Sequence, residues 1–367
     1  MKIKTITCHD VYNLGASLQA YALMEYLQSL GHNVEIIDYK PDYLNNHYSL
    51  SLVSNPKFDV PLVRQLYLLA KLPERIIALK SQRKKNFDDF RNRYLLLTQR
   101  YESYSELEKR PPIADIYFAG SDQIWNTLFQ NGKDPAFYLK FTPSSSIRAS
   151  YAASFATDEI LEDWKPKIKE WLSELDYISV RESSGAKIVR QLGLNAVQVL
   201  DPVFLLDAKE WELLCQPMDQ KYIFIYDFDA NPEIRKMAEA LSLNTGLPIY
   251  TLQNLGYGVK AFPDVGPLEF LSLVHGAEYV LSNSFHATAF SIIFEKEFWV
   301  TSRKEKINTR MRDLAISLDV SERFINKVAD MNLSRIDYDK VQYRMKRQIQ
   351  ESKRYIDLVI SGGKSYD

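Results

Sequence analysis

The residue of this sequence best suited to acid–base chemistry is His286, within the segment AEYVLSNSFHATAFSIIFEKEFWVT at 277–301. The run Glu278–Ser282 predicts a buried strand, and Asn283 or Ser284 can cap a helix that follows it at once. His286 then lies in the first helical turn, beside the carboxyl end of a parallel strand, where open α/β sheets bind ligands and helix amide groups favour an anion. The alternative is a partly buried histidine that bonds to a backbone carbonyl.

A second polar cluster, GSDQIWN, follows the predicted strand Ile113–Ala119. Ser121, Asp122 and Gln123 offer hydrogen bonds to sugar hydroxyls, and the ring of Trp125 offers a face for the C–H side of a sugar. The same residues also suit a capped turn in which the indole of Trp125 fills the core. The sequence therefore predicts either a saccharide subsite or a structural turn here.

Two further strand ends carry residues that can line a ligand site. Arg181 follows the predicted strand Tyr177–Val180, and its guanidinium can donate two hydrogen bonds to a carboxylate or phosphate. Alternatively, the neighbouring Glu182 pairs with it. Asn13 and Gly15 follow the first predicted strand and would line the same edge of the sheet, although both residue types are also common in ordinary turns.

Several of these segments, taken in order, resemble motifs of the polysaccharide pyruvyl transferase family. The segment SNSFHATAFSIIF resembles the family's histidine motif, and the resemblance extends over about residues 5 to 320. The supporting motifs are NLGASLQAYAL (13–23), GSDQIWN (120–126), YAASF (151–155), SVRE (179–182) and LDP (200–202). Their number and order make the resemblance specific for the family.

The resemblance implies transfer of a pyruvyl group from phosphoenolpyruvate to two hydroxyls of a hexose, in a surface polysaccharide or its lipid-linked precursor, with closure of a cyclic ketal. It implies that His286 is the general acid and that the base is Asp122 or, second, Asp201. The expected substrate-binding residues are Arg181, Arg310, Ser284, Asn283, Asn13, Gly15, Ser121, Gln123 and Trp125. No cofactor is expected. Two other functions stay open: a GT-B glycosyltransferase that uses a nucleotide sugar, and a sugar-binding protein without catalysis.

The sequence departs from the family pattern directly beside the histidine. Many members have Arg-Leu-His there, whereas this chain has Ser284-Phe285-His286, so one expected ligand for phosphate or carboxylate is missing. Arg181 first, and Arg310 second, would then carry the charge of the donor. A place on a helix surface is the other interpretation of Arg310. Nearby cations that compete with it for this role are Arg303, Lys304 and Arg312.

Composition narrows the class of protein. A formal net charge of −1 argues against a protein whose main partner is nucleic acid. Cys8 and Cys215 have neither metal-site nor redox-motif spacing, and we expect both to be reduced thiols. The sequence shows no apolar region of a signal peptide and no run of about 18 apolar residues. We therefore expect a cytoplasmic protein.

The alternation of strand-like and helix-like segments predicts two doubly wound α/β domains, since 367 residues exceed the usual size of one hydrophobic core. We predict an N-terminal domain over 1–205 as the acceptor side and a C-terminal domain over 206–335 as the donor side. Residues 336–367 predict a charged helix, which can cross back to the first domain, and a frayed tail. Two such domains facing each other across a cleft give the GT-B-like architecture that the family resemblance implies.

Residues 40–112 interrupt this alternation and predict a helical insert with a break near Pro73. Apolar residues recur there at helical spacing: Leu62, Leu66, Leu69, Leu72, Ile76 and Leu79. Between Arg64 and Arg93 there are nine Lys or Arg against three acids. Such an insert can rest on the inner face of an anionic membrane or approach an anionic lipid-linked saccharide; a solvated charged surface is the alternative.

The sequence gives little indication of other chemistry. P-loop, GxGxxG and GxSxG motifs are absent, and the five histidines share no short helical spacing. Asp227 and Asp229 form the DxD arrangement of metal-dependent sugar transferases, which we interpret as a turn at a strand end. We therefore expect no metal site.

Overall fold

The architecture was obtained as a computed structural model. It describes residues 1–45, 53, 60–258, 260–304 and 308–363. Within these ranges the chain folds into two parallel α/β sheets flanked by helices, as the sequence predicts. The sheets face each other across a cleft, which is the GT-B-like arrangement.

The first domain contains a parallel sheet in the strand order β3-β2-β1-β4-β5. A short pair, β6 and β7, continues it through bridges from Ala149 to Tyr177 and from Ala153 to Val180. The strands are β1 (Lys2–Ile6), β2 (Asn33–Tyr39), β3 (Leu97–Tyr101), β4 (Ile116–Ala119), β5 (Ile147–Ser150), β6 (Ser179–Val180) and β7 (Val197–Gln198). The helices are α1 (Leu14–Ser29), α2 (Pro61–Leu79), α3 (Gln82–Tyr94), α4 (Tyr104–Lys109), α5 (Lys165–Leu172) and α6 (Ser183–Gln191).

The insert at 40–112 differs from its prediction in two respects. First, it contains β3, which pairs in parallel with β2 and so forms an edge of the sheet. The run at 95–101 is too short and too polar for its strand character to stand out beside the long helical pattern that precedes it. Second, Pro73 lies inside α2 instead of ending it, because a helix can continue through a proline when it gives up one backbone hydrogen bond.

The second domain repeats the alternation in the strand order β10-β9-β8-β11-β12, again in parallel. Its strands are β8 (Ile223–Tyr226), β9 (Ile249–Thr251), β10 (Lys260–Ala261), β11 (Tyr279–Ser282) and β12 (Glu297–Val300). The helices from the connection onward are α7 (Ala208–Glu212), α8 (Pro232–Thr245), α9 (Pro267–Gly276), α10 (Phe285–Ile293), α11 (Thr309–Ser317) and α12 (Tyr338–Ser361).

An aromatic contact joins the two domains behind the cleft. The ring of Trp211 on α7 packs against Tyr21 of α1 at 5.7 Å and against Phe290 of α10 at 5.0 Å, measured between ring centroids. Since Trp211 is completely buried, this contact fixes α1 and α10 next to each other. It therefore sets the distance between the N-terminal ends of these two helices.

The last helix crosses back to the first domain, as the sequence allows. On α12 the hydroxyl of Tyr355 donates to the carbonyl of Ser150 at 2.8 Å, and the hydroxyl of Ser352 accepts from the amide of Leu200 at 2.9 Å. α12 thus ties the end of the second domain to β5 and to the segment before Asp201. No helix in the described part of the chain combines the length and the hydrophobicity needed to cross a bilayer.

Candidate active site

The N-terminal ends of α1 and α10 meet in the cleft, one from each domain. Asn13 caps α1 by accepting from the amide of Ala16 at 3.1 Å, and Ser284 caps α10 by accepting from the amide of Ala287 at 3.4 Å. Helix N-termini carry partial positive charge and leave their first amide groups without intrahelical acceptors. Two such ends facing one cleft make a site that favours a negatively charged ligand.

His286 lies in the first turn of α10 and packs directly against Gly15 of α1. A Cβ atom added to Gly15 would lie only 1.8 Å from Nδ1 of His286, so only glycine admits the imidazole at this position. On the other side of the ring, Nε2 lies 3.7 Å from Oδ2 of Asp201. This distance is too long for a hydrogen bond, and the two groups attract each other as an ion pair only when the imidazole is protonated.

The opening in front of His286 is lined by both domains. Its lining residues are Asn13, Gly15, Asp122, Gln123, Tyr226, Phe228, Asn283, Ser284, Phe285, His286, Arg303, Arg310 and Met311. We call this opening the front pocket. It brings together eight of the residues that the sequence predicts for the site, from four separate regions of the chain.

Arg181 lies behind the front pocket and is held by carboxylates. One of its terminal nitrogens forms an ion pair with Asp201, the other lies 3.5 Å from Asp122, and Nε lies 3.9 Å from Glu182. Burial alone would lower the pKa of Arg181, but Asp201, Asp122 and Glu182 together raise it. The guanidinium also lies 4.7 Å from the ring centroid of Phe285.

Arg310 reaches the front pocket from α11 in a different environment. Its nearest carboxylate in the described ranges is Asp122, at 3.5 Å, and Asp122 is shared with Arg181. Its side chain is 8% exposed, and Nε has no hydrogen-bond partner. Burial, followed by repulsion from Arg181, lowers the pKa of Arg310 from 12.5 to about 10. Arg310 is thus a buried cation whose charge the protein balances only in part.

Asp122 and Asp201, the two acids considered as base, occupy different positions. Asp122 has a left-handed backbone (φ 69°) and lines the front pocket, where it can meet a substrate. The carboxylate of Asp201 is completely buried. Burial would raise the pKa of Asp201, but Arg181 and His286 outweigh it and hold that pKa well below the usual value. Asp201 is therefore unsuited to accept a proton from a sugar; it holds Arg181 and faces His286.

Three other residues that the sequence predicts for substrate binding use their polar groups in bonds within the protein. Trp125 is completely buried, donates from Nε1 to the carbonyl of Phe137 and stacks on Tyr138, so its indole fills the core and gives no face to a sugar. The hydroxyl of Ser121 is buried and donates to the carbonyl of Ala152. The amide of Asn283 bonds to Asp227 and to the backbone of Phe228, and so supports the turn after β8.

That turn also explains the DxD arrangement. Asp227 accepts from the amides of Asp229 and Asn231, and Asp229 accepts from the amide of Lys304 at 3.0 Å. Both carboxylates therefore bind backbone groups of the chain. In the described ranges, no group of three or more His, Cys, Asp and Glu side chains is arranged to hold a metal ion.

The sequence analysis missed the aromatic wall of the front pocket. Tyr226 and Phe228 lie at the carboxyl end of β8, with their ring centroids 4.6 Å apart, and the guanidinium of Arg303 lies 4.4 Å from the centroid of Phe228. Because ligands bind at the carboxyl ends of parallel strands, the apolar run Tyr222–Tyr226, followed by Asp227, was the signal in the sequence that could have indicated this wall. Phe285, the residue before His286, forms another wall.

The fold has counterparts among solved structures of sugar-nucleotide enzymes. A candidate UDP-N-acetylglucosamine 2-epimerase from Listeria monocytogenes superposes with a TM-score of 0.51 at 8% identity, covering 100% of this chain and 97% of that chain. The UDP-N-acetylglucosamine 2-epimerase of Methanocaldococcus jannaschii gives a TM-score of 0.49 at 12% identity, with coverage of 99% and 100%. At these identities the likeness concerns the fold alone.

Sequence comparison identifies the family. No curated protein matches the chain. The family model described as polysaccharide pyruvyl transferase matches residues 13–305, a range that holds every lining residue of the front pocket except Arg310 and Met311. Because this match covers well over half of the chain, the protein belongs to the polysaccharide pyruvyl transferase family.

Proposed function

We propose that the protein transfers a pyruvyl group from phosphoenolpyruvate to two hydroxyls of a hexose, releasing phosphate and leaving a cyclic ketal. The observation that carries this proposal is the partly balanced, buried charge of Arg310 beside His286 and two helix N-termini. A small donor with a phosphate and a carboxylate suits a pocket lined by Arg303 and Arg310 together with one carboxylate, that of Asp122.

The first step requires an acid. The carbon of phosphoenolpyruvate that bears the phosphate oxygen becomes electrophilic once the methylene carbon is protonated. His286 is the side chain of the front pocket that can supply this proton near neutral pH. The close packing of its ring against Gly15 fixes the direction of the imidazole. His286 is therefore the proposed general acid.

The hydroxyl that adds to this carbon must lose a proton. Asp122 is the proposed acceptor, because it lines the front pocket while the carboxylate of Asp201 is buried behind it. The second hydroxyl then displaces phosphate, its proton leaves with the phosphate, and the ring of the ketal closes. Arg310 stabilises the phosphate as charge develops on it.

The acceptor enters this proposal as a hexose-containing saccharide, free or lipid-linked. Gln123 at the pocket wall and the aromatic rings of Tyr226 and Phe228 supply the polar and apolar contacts that sugars use. Neither a metal ion nor another cofactor has a role in the proposed steps. The proposed compartment is the cytoplasm, in agreement with the free thiols of Cys8 and Cys215.

The test supplies phosphoenolpyruvate together with a panel of nitrophenyl hexosides and lipid-linked hexosides. We expect release of inorganic phosphate that depends on the hexoside, and a product whose mass has increased by one pyruvyl ketal. The control is the His286→Gln protein under the same conditions. Turnover that requires a nucleotide sugar instead would contradict the proposal in favour of a glycosyltransferase, and binding of sugar without any turnover would indicate a sugar-binding protein.

A further inference from the structure

Helix α2 has its apolar side turned outward. Its less exposed side carries Tyr67, Leu68, Lys71, Arg75 and Leu79, of which Arg75 is buried and lies over the ring of Tyr67. The outward side carries exposed apolar residues: Val63, Leu66, Leu69, Leu72, Ile76 and Ile77. In a soluble domain the apolar stripe of a helix usually faces the core, whereas α2 leaves most of its large apolar side chains exposed.

The apolar side chains on the outward side of α2 are exposed to an unusual extent. Leu66 is 67% exposed, Leu69 is 65% exposed and Ile77 is 71% exposed, and they recur at helical spacing along one side. Single exposed apolar residues are common on protein surfaces, but a continuous apolar surface of this kind marks an interaction site. The outward side of α2 therefore needs a partner.

We propose that the outward side of α2 docks on an anionic membrane surface. Four of the nine Lys or Arg in the segment Arg64–Arg93 are exposed, against two exposed acids, Glu74 and Asp89. The exposed cations are Arg64, Lys80, Lys85 and Arg93. An apolar helix side bordered by lysines suits the boundary between acyl chains and negative headgroups. A second copy of the chain fits less well, because it would place two basic segments against each other.

Docking through α2 brings the membrane close to the cleft. α3, which follows α2 directly, spans the cleft edge: Arg83 donates to the carbonyls of Val265 at 2.9 Å and of Tyr12 at 3.3 Å, one in each domain. Tyr12 directly precedes Asn13 of the front pocket. A saccharide carried on a membrane lipid would therefore be near its site, and this point alone rests on the proposed function.

The experiment uses the full chain and vesicles of phosphatidylcholine with or without phosphatidylglycerol. We expect the wild-type protein to float with the anionic vesicles, to bind the neutral ones less, and to bind less as salt is raised. Leu66→Glu with Leu69→Glu should lower binding at least tenfold. Lys80→Gln and Lys85→Gln should each lower it about fivefold.

The matched control is Leu213→Glu with Leu243→Glu, which makes the same substitutions at two leucines that are 86% and 87% exposed elsewhere. This control should bind vesicles like the wild type. Turnover of a soluble hexoside should be equal in both double variants, so a failed docking proposal is distinguishable from a failed function. Wild-type protein that ignores anionic vesicles, equal losses in the two variants, or a dimer that only the α2 variant dissociates would each overturn the proposal.

Discussion

Arg181 and Arg310 reach the same aromatic ring, that of Phe285, from the two domains, yet their surroundings differ. Three carboxylates raise the pKa of Arg181, whereas burial and the repulsion of Arg181 lower that of Arg310 to about 10. A buried cation that carboxylates already pair helps to hold the fold together. A buried cation that is only partly paired is stabilised when an anionic ligand binds beside it. We therefore propose that Arg310 binds the donor and that Arg181 organises the site, whereas the sequence favours Arg181 first and Arg310 second as donor ligands.

The largest loss of activity is expected at His286, which faces Asp201, the partner of Arg181, and lines the front pocket together with Arg310. General acid catalysis is worth roughly 10²–10⁴-fold, so His286→Gln should lower kcat by about that factor in the phosphate-release assay. The thermal unfolding midpoint serves as the control for folding. A variant that folds, binds donor and keeps near-full activity would show that His286 only fills space beside Gly15.

Asp201→Asn should mainly lower stability, because it leaves Arg181 buried with less compensation. Breaking a buried ion pair in this way costs about 3–5 kcal/mol, measurable by urea unfolding at pH 7. Since the folded-state pKa of Asp201 is lowered, its stabilisation is present above the unfolded value of about 3.9 and is lost as pH falls through the folded value. The difference between wild type and variant should therefore shrink only in strong acid; a constant difference would contradict this account.

Substitution of the two arginines tests the comparison directly. Arg310→Lys and Arg310→Ala should weaken the apparent affinity for phosphoenolpyruvate by about tenfold to a hundredfold, since a hydrogen bond to a charged group is worth about 1.5–3 kcal/mol. Arg181→Lys should change the unfolding midpoint more than the KM for the donor. The opposite pattern would restore Arg181 as the donor ligand.

A smaller loss of activity is expected from Gly15→Ala, which changes the surface against which the imidazole packs and removes no charge. The added Cβ would lie 1.8 Å from Nδ1 of His286, so the ring must move, and we expect kcat to decline about tenfold. The check is a double-mutant cycle with His286→Ala. Because both changes act through one ring, Gly15→Ala should add nothing to His286→Ala; additive losses would separate Gly15 from the histidine.

Local pattern predicted the fold well where the chain alternates regularly. Helix α8 covers Pro232–Thr245, with Asn231 as its cap and Gly246 ending it, and both are local signals that the sequence itself displays. The insert was harder to predict. Its short strand β3 forms by pairing with β2, and its own composition does not indicate a strand. Trp125 shows that the same holds for residues of the site. A tryptophan can stack against a sugar or fill a hydrophobic core, and only its packing on Tyr138 shows that it fills the core.

By itself, the sequence determined the family, the two alternating α/β domains, and the place of His286 at a helix start after a buried strand. These features follow from local periodicity, capping residues and motif order, which do not depend on distant contacts. Tertiary structure alone decided how charge is shared among Arg181, Arg310, Asp122 and Asp201. Pairing and burial depend on distances between residues from both domains, and those distances are set by the packing of α1 against α10.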